Sequence, residues 1–296
     1  MTRLSMHIPD HPLWRQLRAA MDAPAGWQQL DGASDAVQRA VRALPLRPPA
    51  RDLLHGRQLG HPLHPALVLV PAGCWLAAGL LDLTGGDARA ARRLIGIGLL
   101  GAGPAALAGW VDWADLTPPQ RRTGLVHALS NTSAVLLYSG SLLARTGGRE
   151  VRGRALGLAG LLAVSGGAAL GGHLAYRHAV GVNHAEAVPR LVPAGWHSLG
   201  PVDDFPPGET TRRMVGEVPV LVVRTESGCR VLADRCNHLS GSLSEGTLVD
   251  GCVRCPLHGS TFRLKDGAVV RGPATAPQPA FETRVTSGAL EVRLPG

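Results

Sequence analysis

The chain has 296 residues, 45% apolar and 18% charged, which is long enough for two domains. Its formal charge of +8 comes almost wholly from arginine, because Lys265 is the sole lysine. The arginines are scattered rather than clustered with aromatics, which argues against a nucleic-acid partner and for membrane lipids with anionic headgroups.

Residues 1–57 read as a polar, Arg-rich N-terminal segment. It lacks an apolar core, and Arg15, Arg18 and Asp22 interrupt it, so no cleavable signal is expected. Ser34 is placed as the cap of a short helix with Val37, Val41 and Leu44 on one face. "PLRPPA" at 45–50 reads as a linker.

Four stretches follow with no Asp, Glu, Lys or Arg: 58–81, 94–111, 123–144 and 155–176. Each has about the length that crosses a hydrocarbon core of ~30 Å at ~1.5 Å per residue. Residues 58–180 are therefore expected to form a four-helix transmembrane domain in the cell membrane. The alternative is a soluble bundle of buried helices, but four such runs exceed the usual globular helix of about 11 to 12 residues. Gly96, Gly98, Gly101 and Gly103, with Gly167 and Gly171, would let helices approach closely where lipid gives no hydrophobic drive. Pro71 and Pro104 fall inside the runs, which membrane helices tolerate.

From about residue 190 the texture changes to short β-branched runs separated by turn signals: "VPVLVV", "CRVLA", "TLVDGCV", "STFRL", "AVV" and "ALEVRL". That pattern predicts a small all-β domain over 190–296. The fold class is thus multi-domain, a four-transmembrane-helix bundle followed by a small all-β domain.

Five cysteines, an odd number with Cys74 inside an apolar run, argue against a disulfide scaffold. Two of them stand beside histidines. "RCNHLSG" carries Cys236 and His238, "RCPLHGS" carries Cys255 and His258, and sixteen residues separate the pairs. Pro256 and Gly259 supply turn chemistry to the second loop. Zinc would accept two thiolates and two imidazoles, although its ligand pairs usually come one residue type at a time. A two-iron cluster of mixed ligation takes one ligand for each iron from each loop, which mixed pairs provide.

"CNH", sixteen residues, then "CPLHGS" resembles the Rieske family, and the β-rich segment resembles it in extent. The resemblance implies a [2Fe-2S] cluster with Cys236 and Cys255 on the buried iron and His238 and His258 on the outer one. Ser260 would hydrogen-bond a cluster sulfur, and Pro273 in "RGPAT" would belong to a loop covering the cluster. Respiratory members join their cluster loops by a disulfide; those positions here are Gly241 and Leu257, so the domain is closer to the ferredoxin type. Phe262 stands where high-potential members have tyrosine. Cys252 reads as a strand residue.

Rieske oxygenases add a large domain holding a mononuclear iron. Only 38 residues follow His258, none of them histidine, so a complete oxygenase is not expected. One-electron transfer between a soluble redox partner protein and a membrane quinone or haem is the leading function. A redox sensor regulating the helical part is the alternative.

His61, His64, His127 and His173 all fall near one end of the membrane runs, the end expected to carry the Rieske domain. They are read either as a haem b or quinol site or as interfacial histidines beside Trp110, Trp113 and Tyr176. "GHPLHPALVLVPAG" resembles a bacterial family of four-helix membrane proteins of unknown function, over about 55–180. Seven arginines flank the runs on each side, so the positive-inside rule gives a tie. The long charged N-terminus and the missing loop disulfide favour a cytoplasmic Rieske domain.

Overall fold

The computed structural model describes residues 11–295; the first ten residues of the N-terminal segment and Gly296 lie outside them. The helices are α1 (Pro12–Asp22), α2 (Asp31–Arg42), α3 (Pro48–Leu54), α4 (His64–Leu67), α5 (Leu69–Thr84), α6 (Ala88–Trp113), α7 (Pro118–Thr146), α8 (Glu150–Tyr176) and α9 (Val188–Leu191). Ten strands follow: β1 (His197–Pro201), β2 (Thr210–Val215), β3 (Val218–Thr225), β4 (Gly228–Ala233), β5 (Thr247–Val249), β6 (Cys252–Arg254), β7 (Thr261–Arg263), β8 (Val269–Arg271), β9 (Ala280–Thr286) and β10 (Ala289–Arg293). The chain divides into two compact units, the first running to Ala43 and including Leu69–Gly103 and Leu116–Val180, the second formed by the rest.

Among the described residues, three helices are long and apolar enough to cross a membrane: His64–Thr84, Ala88–Trp113 and Glu150–Tyr176. The sequence suggested four. The remaining run lies in α7, where His127, Ser130, Asn131, Thr132, Ser133, Ser139 and Ser141 dilute the hydropathy that an absence of charge implied.

In the helical unit, Trp75 stacks on Tyr138 with ring centroids 4.4 Å apart, among Ala78, Ala91, Ile95 and Ala134. Glycines make room for these side chains. A Cβ on Gly98 would meet the Trp75 ring, one on Gly160 the Tyr138 ring, and one on Gly167 the Asn131 amide. Gly101 and Gly171 are similarly crowded, by Val70 and His127, whereas Gly96 and Gly103 face nothing within 4 Å. One buried ion pair crosses this unit: Arg145 Nη2 donates to Asp82 Oδ2 at 2.5 Å, with both side chains almost fully enclosed.

Two local expectations need correction. The α2 helix starts at Asp31, so Ser34 lies inside it, buried, and caps nothing. Asp31 itself takes a bidentate ion pair from Arg122, at 2.7 and 2.8 Å. Pro48 and Pro49 do not extend a linker; they open α3, because a proline in the first helical turn lacks only an N–H that would go unpaired there.

The second unit carries two antiparallel sheets, in orders β1-β10-β9-β4-β3-β2 and β5-β6-β7-β8. The runs read as strands became β3, β4, β5 with β6, β7, β8 and β10. The sequence pattern missed β1, β2 and β9. Alternating Val220, Val222 and Val231 face one core with Phe205 and Phe281, while Leu221, Val223 and Leu232 face another with Phe262 and Leu264. Period-two alternation of this kind puts both faces of a strand into apolar surroundings. Cys252 is a buried residue of β6, as expected.

Candidate metal centre

Two loops of the β domain fold the same way. In the loop after β4, the Cys236 amide donates to the Gly241 carbonyl at 2.8 Å and the Ser240 amide to the Cys236 carbonyl at 2.8 Å. In the loop after β6, the Cys255 amide donates to the Ser260 carbonyl at 2.8 Å and the Gly259 amide to the Cys255 carbonyl at 3.1 Å. Each loop closes through a left-handed residue four positions after its cysteine, Ser240 at φ 57° and Gly259 at φ 77°. Glycine adopts that region without steric cost, which explains its place in the second loop.

This shared winding turns backbone N–H groups onto each sulfur. Cys236 receives those of His238 and Leu239, and Cys255 those of Leu257 and His258. The two thiols are also hydrogen-bonded to each other, which pushes Cys236 up and pulls Cys255 down. Both cysteines are buried and neither is in a disulfide. At the rim, the His238 and His258 rings meet edge to face, with centroids 5.2 Å apart and planes at 87°. Burial, reinforced by the nearby His258, His55 and His184 rings, pulls the His238 imidazole down to about 3. It is therefore neutral at physiological pH, the state in which imidazole binds a metal.

A thiol and an imidazole from each loop, with the two thiols in contact and the two rings in contact, are the donor set that a pair of irons of different ligation would take. Pro256 and Leu257 are exposed at the loop tip, and Gly259 is half-buried. Ser260 is fully buried, and its hydroxyl oxygen accepts from the Ala274 amide at 3.0 Å, tying the second loop to the buried Gly272-Pro273 segment. Phe262 is fully enclosed behind it.

A Rieske [2Fe-2S] domain model matches residues 195–282. The anthranilate 1,2-dioxygenase ferredoxin subunit of Burkholderia cepacia is 37% identical over 101 residues, which is 34% of this chain and 94% of that protein. The chain belongs to the Rieske [2Fe-2S] family. Ferredoxin CarAc of Metapseudomonas resinovorans is 36% identical over 99 residues, 33% of this chain and 92% of that protein. Among solved structures, a chain in the complex of reduced oxygenase and oxidised ferredoxin of carbazole 1,9a-dioxygenase is 34% identical, covering 33% of this chain and 92% of that one, with a TM-score of 0.31. Residues 60–184 match the predicted membrane protein family DUF2231, so a Rieske domain and a predicted membrane domain share one chain.

Several residues that shape the Rieske loops were not singled out from the sequence. Buried Gln278 donates to the Ala233 and Arg235 carbonyls, at 2.7 and 2.6 Å, and accepts from the Asn237 amide at 3.2 Å. Asp234, fully buried, accepts from the Ser244 amide at 2.6 Å and the Ser242 hydroxyl at 2.8 Å. Asp52 of α3 accepts from the Gly272 amide at 3.0 Å. His55, enclosed just after α3, pairs with Asp112 at 2.8 Å and lies 3.4 Å from where a Gly272 Cβ would stand. No spacing rule could have found these partners, because the fold brings them together from separate segments, as far apart as Asp52 and Gly272.

The four membrane-end histidines have separate local partners. His64 Nδ1 meets the Ala105 carbonyl at 2.8 Å, His127 Nδ1 the Gly167 carbonyl at 2.8 Å, and His61 Nδ1 its neighbour Pro62 at 3.0 Å. His173 stands against Asp22. Reading these four as a haem or quinol site receives no support from such contacts.

Proposed function

We propose that this chain is a membrane-anchored Rieske protein carrying single electrons, with Cys236, His238, Cys255 and His258 as the cluster ligands. The [2Fe-2S] group supplies one reversible electron step, and Rieske potentials span about −150 to +300 mV. The carrying observation is the placement of two thiols and two imidazoles by two loops of like winding. Around them the chain's own residues do the rest. The backbone amides of residues 238, 239, 257 and 258 donate to sulfur, Ser260 and Pro273 shield it, and the half-exposed histidine edges with Leu257 offer an apolar tip to a redox partner.

The related proteins include ferredoxin subunits of dioxygenases, which favours an oxygenase or its reductase as the soluble partner. The membrane part favours a second exchange with a quinone. We assign the β domain to the cytoplasmic side; a C-terminal alkaline phosphatase fusion should be inactive there, and an active fusion overturns this placement.

The decisive experiment uses the whole chain in nanodiscs. Reduction should produce a Rieske electron paramagnetic resonance signal that His258→Ala abolishes and Cys252→Ser leaves intact. Added quinol should reduce the cluster faster in the whole chain than in a soluble ferredoxin relative. Equal rates would remove the quinone from the reading, and survival of the signal in His258→Ala would remove the ligand assignment.

A second reading, a redox sensor, is favoured by one contact. Asp112 in the last turn of α6 is tied through His55 to the segment around Gly272, beside the cluster loops. Sensing predicts that hydrogen exchange in the last turns of α6 changes with cluster oxidation state; unchanged exchange excludes it.

A further inference from the structure

The end of α8 holds two imidazoles against one carboxylate. Beyond Tyr176 the helix loosens instead of ending: the amides of Arg177 and His178 both donate to the His173 carbonyl, at 2.9 and 3.1 Å, and that of Val180 to the Leu174 carbonyl at 3.0 Å. The inward turn, closed by Ala179 at φ 53°, brings His178 back over His173. The rings meet edge to face with centroids 5.1 Å apart. Gln120 fixes the turn by donating to the His178 carbonyl at 2.9 Å, and Gln120 is itself held by the Thr117 amide and hydroxyl. Asp22, the last residue of α1, completes the group, with Oδ1 3.0 Å from His173 Nε2.

The His173 Nε2 is buried with only the Asp22 contact, and the His178 Nε2 is buried and makes no hydrogen bond. An unpaired buried nitrogen costs about 1–3 kcal/mol, so the one on His178, beside a carboxylate and a second imidazole, calls for an explanation. Arg177 does not supply one. Its contacts to Asp22 are long, 3.4 and 3.5 Å, and its side chain is two-thirds exposed.

We infer that Asp22, His173 and His178 form a binding site for a divalent transition-metal ion of the zinc type. One ligand atom from each of the three lies within 4.8 Å of the others. Zinc bonds of about 2.0–2.2 Å to nitrogen and oxygen place tetrahedral ligands about 3.4 Å apart, so small ring movements close the set. Three protein ligands leave a fourth position, and Asp22, 41% exposed, gives the ion a path from solvent. Occupancy would clamp the end of α1 to the end of α8. This site shares no residue with the cluster loops, so either can fail without the other.

The test uses the full chain with its cluster loaded, purified in detergent and equilibrated with zinc alone. One zinc per chain should be retained, and zinc-edge X-ray absorption should show nitrogen and oxygen at about 2.0–2.1 Å and no sulfur. His178→Ala and Asp22→Asn should each weaken zinc binding at least about tenfold, the scale known for even an outer-shell partner. Both should leave the Rieske resonance unchanged. His178→Ala keeps the backbone bonds that form the turn, and Asp22→Asn keeps the side-chain shape. Arg177→Gln should hold zinc as tightly or more tightly, because it frees the carboxylate. Failure to retain zinc, sulfur in its shell, or equal affinity in both ligand variants would overturn the site.

Discussion

A Cβ on Gly241 would stand 2.8 Å from Cδ1 of Leu257 and 3.0 Å from Sγ of Cys255, so the two Rieske loops touch where the first has no side chain. Leu257 is exposed and can swing away, but the sulfur cannot move without leaving its amide donors. Gly241→Ala should therefore cost about 1–3 kcal/mol of overpacking strain and lower the cluster content of purified protein. Adding Leu257→Ala should restore only part of it. Normal iron and acid-labile sulfide in Gly241→Ala would show that the loops are not as close as described.

Ser260 accepts from the Ala274 amide through its oxygen, and a hydroxyl that accepts still has its proton to give. Donated to the cluster, that hydrogen bond stabilises the more negative, reduced form. A net contribution of about 0.5–1.5 kcal/mol corresponds to about 20–60 mV for one electron. Ser260→Ala should lower the midpoint potential by that amount, and the unmodified protein should titrate in the lower or middle part of the range of about −150 to +300 mV. An unchanged potential in the variant would mean that the serine proton points elsewhere.

How much of this was visible beforehand follows from the range of each interaction. The two loops that carry Cys236 with His238 and Cys255 with His258 were legible because each pair lies within one turn, and a turn is a local object. Strands β3 and β4 were legible from their valines. Strand β2, "TTRRMV", was not, because Arg212 and Arg213 lie on opposite faces and hide the alternation. The linker reading of Pro48 and Pro49 failed because proline is both a breaker and a helix starter, and only the following residues decide. Asp52, His55 and Asp112 were silent, since a lone acid or histidine gains meaning only from a partner brought by the fold.

The depressed pKa of His238 sets a pH test. A free histidine protonates near 6.5, whereas burial holds this ring neutral down to about 3. Because the fold favours the neutral form, the unfolded chain binds more protons between those values. In chain prepared without cluster, stability should be full above about pH 6.5 and fall as pH drops toward 3. A denaturation midpoint of the cluster-free chain that stays constant from pH 7 down to 4 would show that the imidazole is solvated like a free one.

Arg145 spends its guanidinium on Asp82 at 2.5 Å and on the Ser141 hydroxyl at 3.2 Å, with Glu150 at 3.6 Å. Asp82 has Arg154 as a second neighbour, at 3.9 Å and partly exposed. Removing one partner of a buried pair leaves an uncompensated charge and typically costs about 3–5 kcal/mol, whereas replacing both by apolar groups is often neutral. Asp82→Leu alone should lower the melting temperature in detergent by roughly 10 °C, at about 2–4 °C per kcal/mol for a chain of this size. Arg145→Leu on that background should recover most of the loss, because no buried cation then remains. If the double variant melts no higher than Asp82→Leu, the aspartate acts through something other than Arg145.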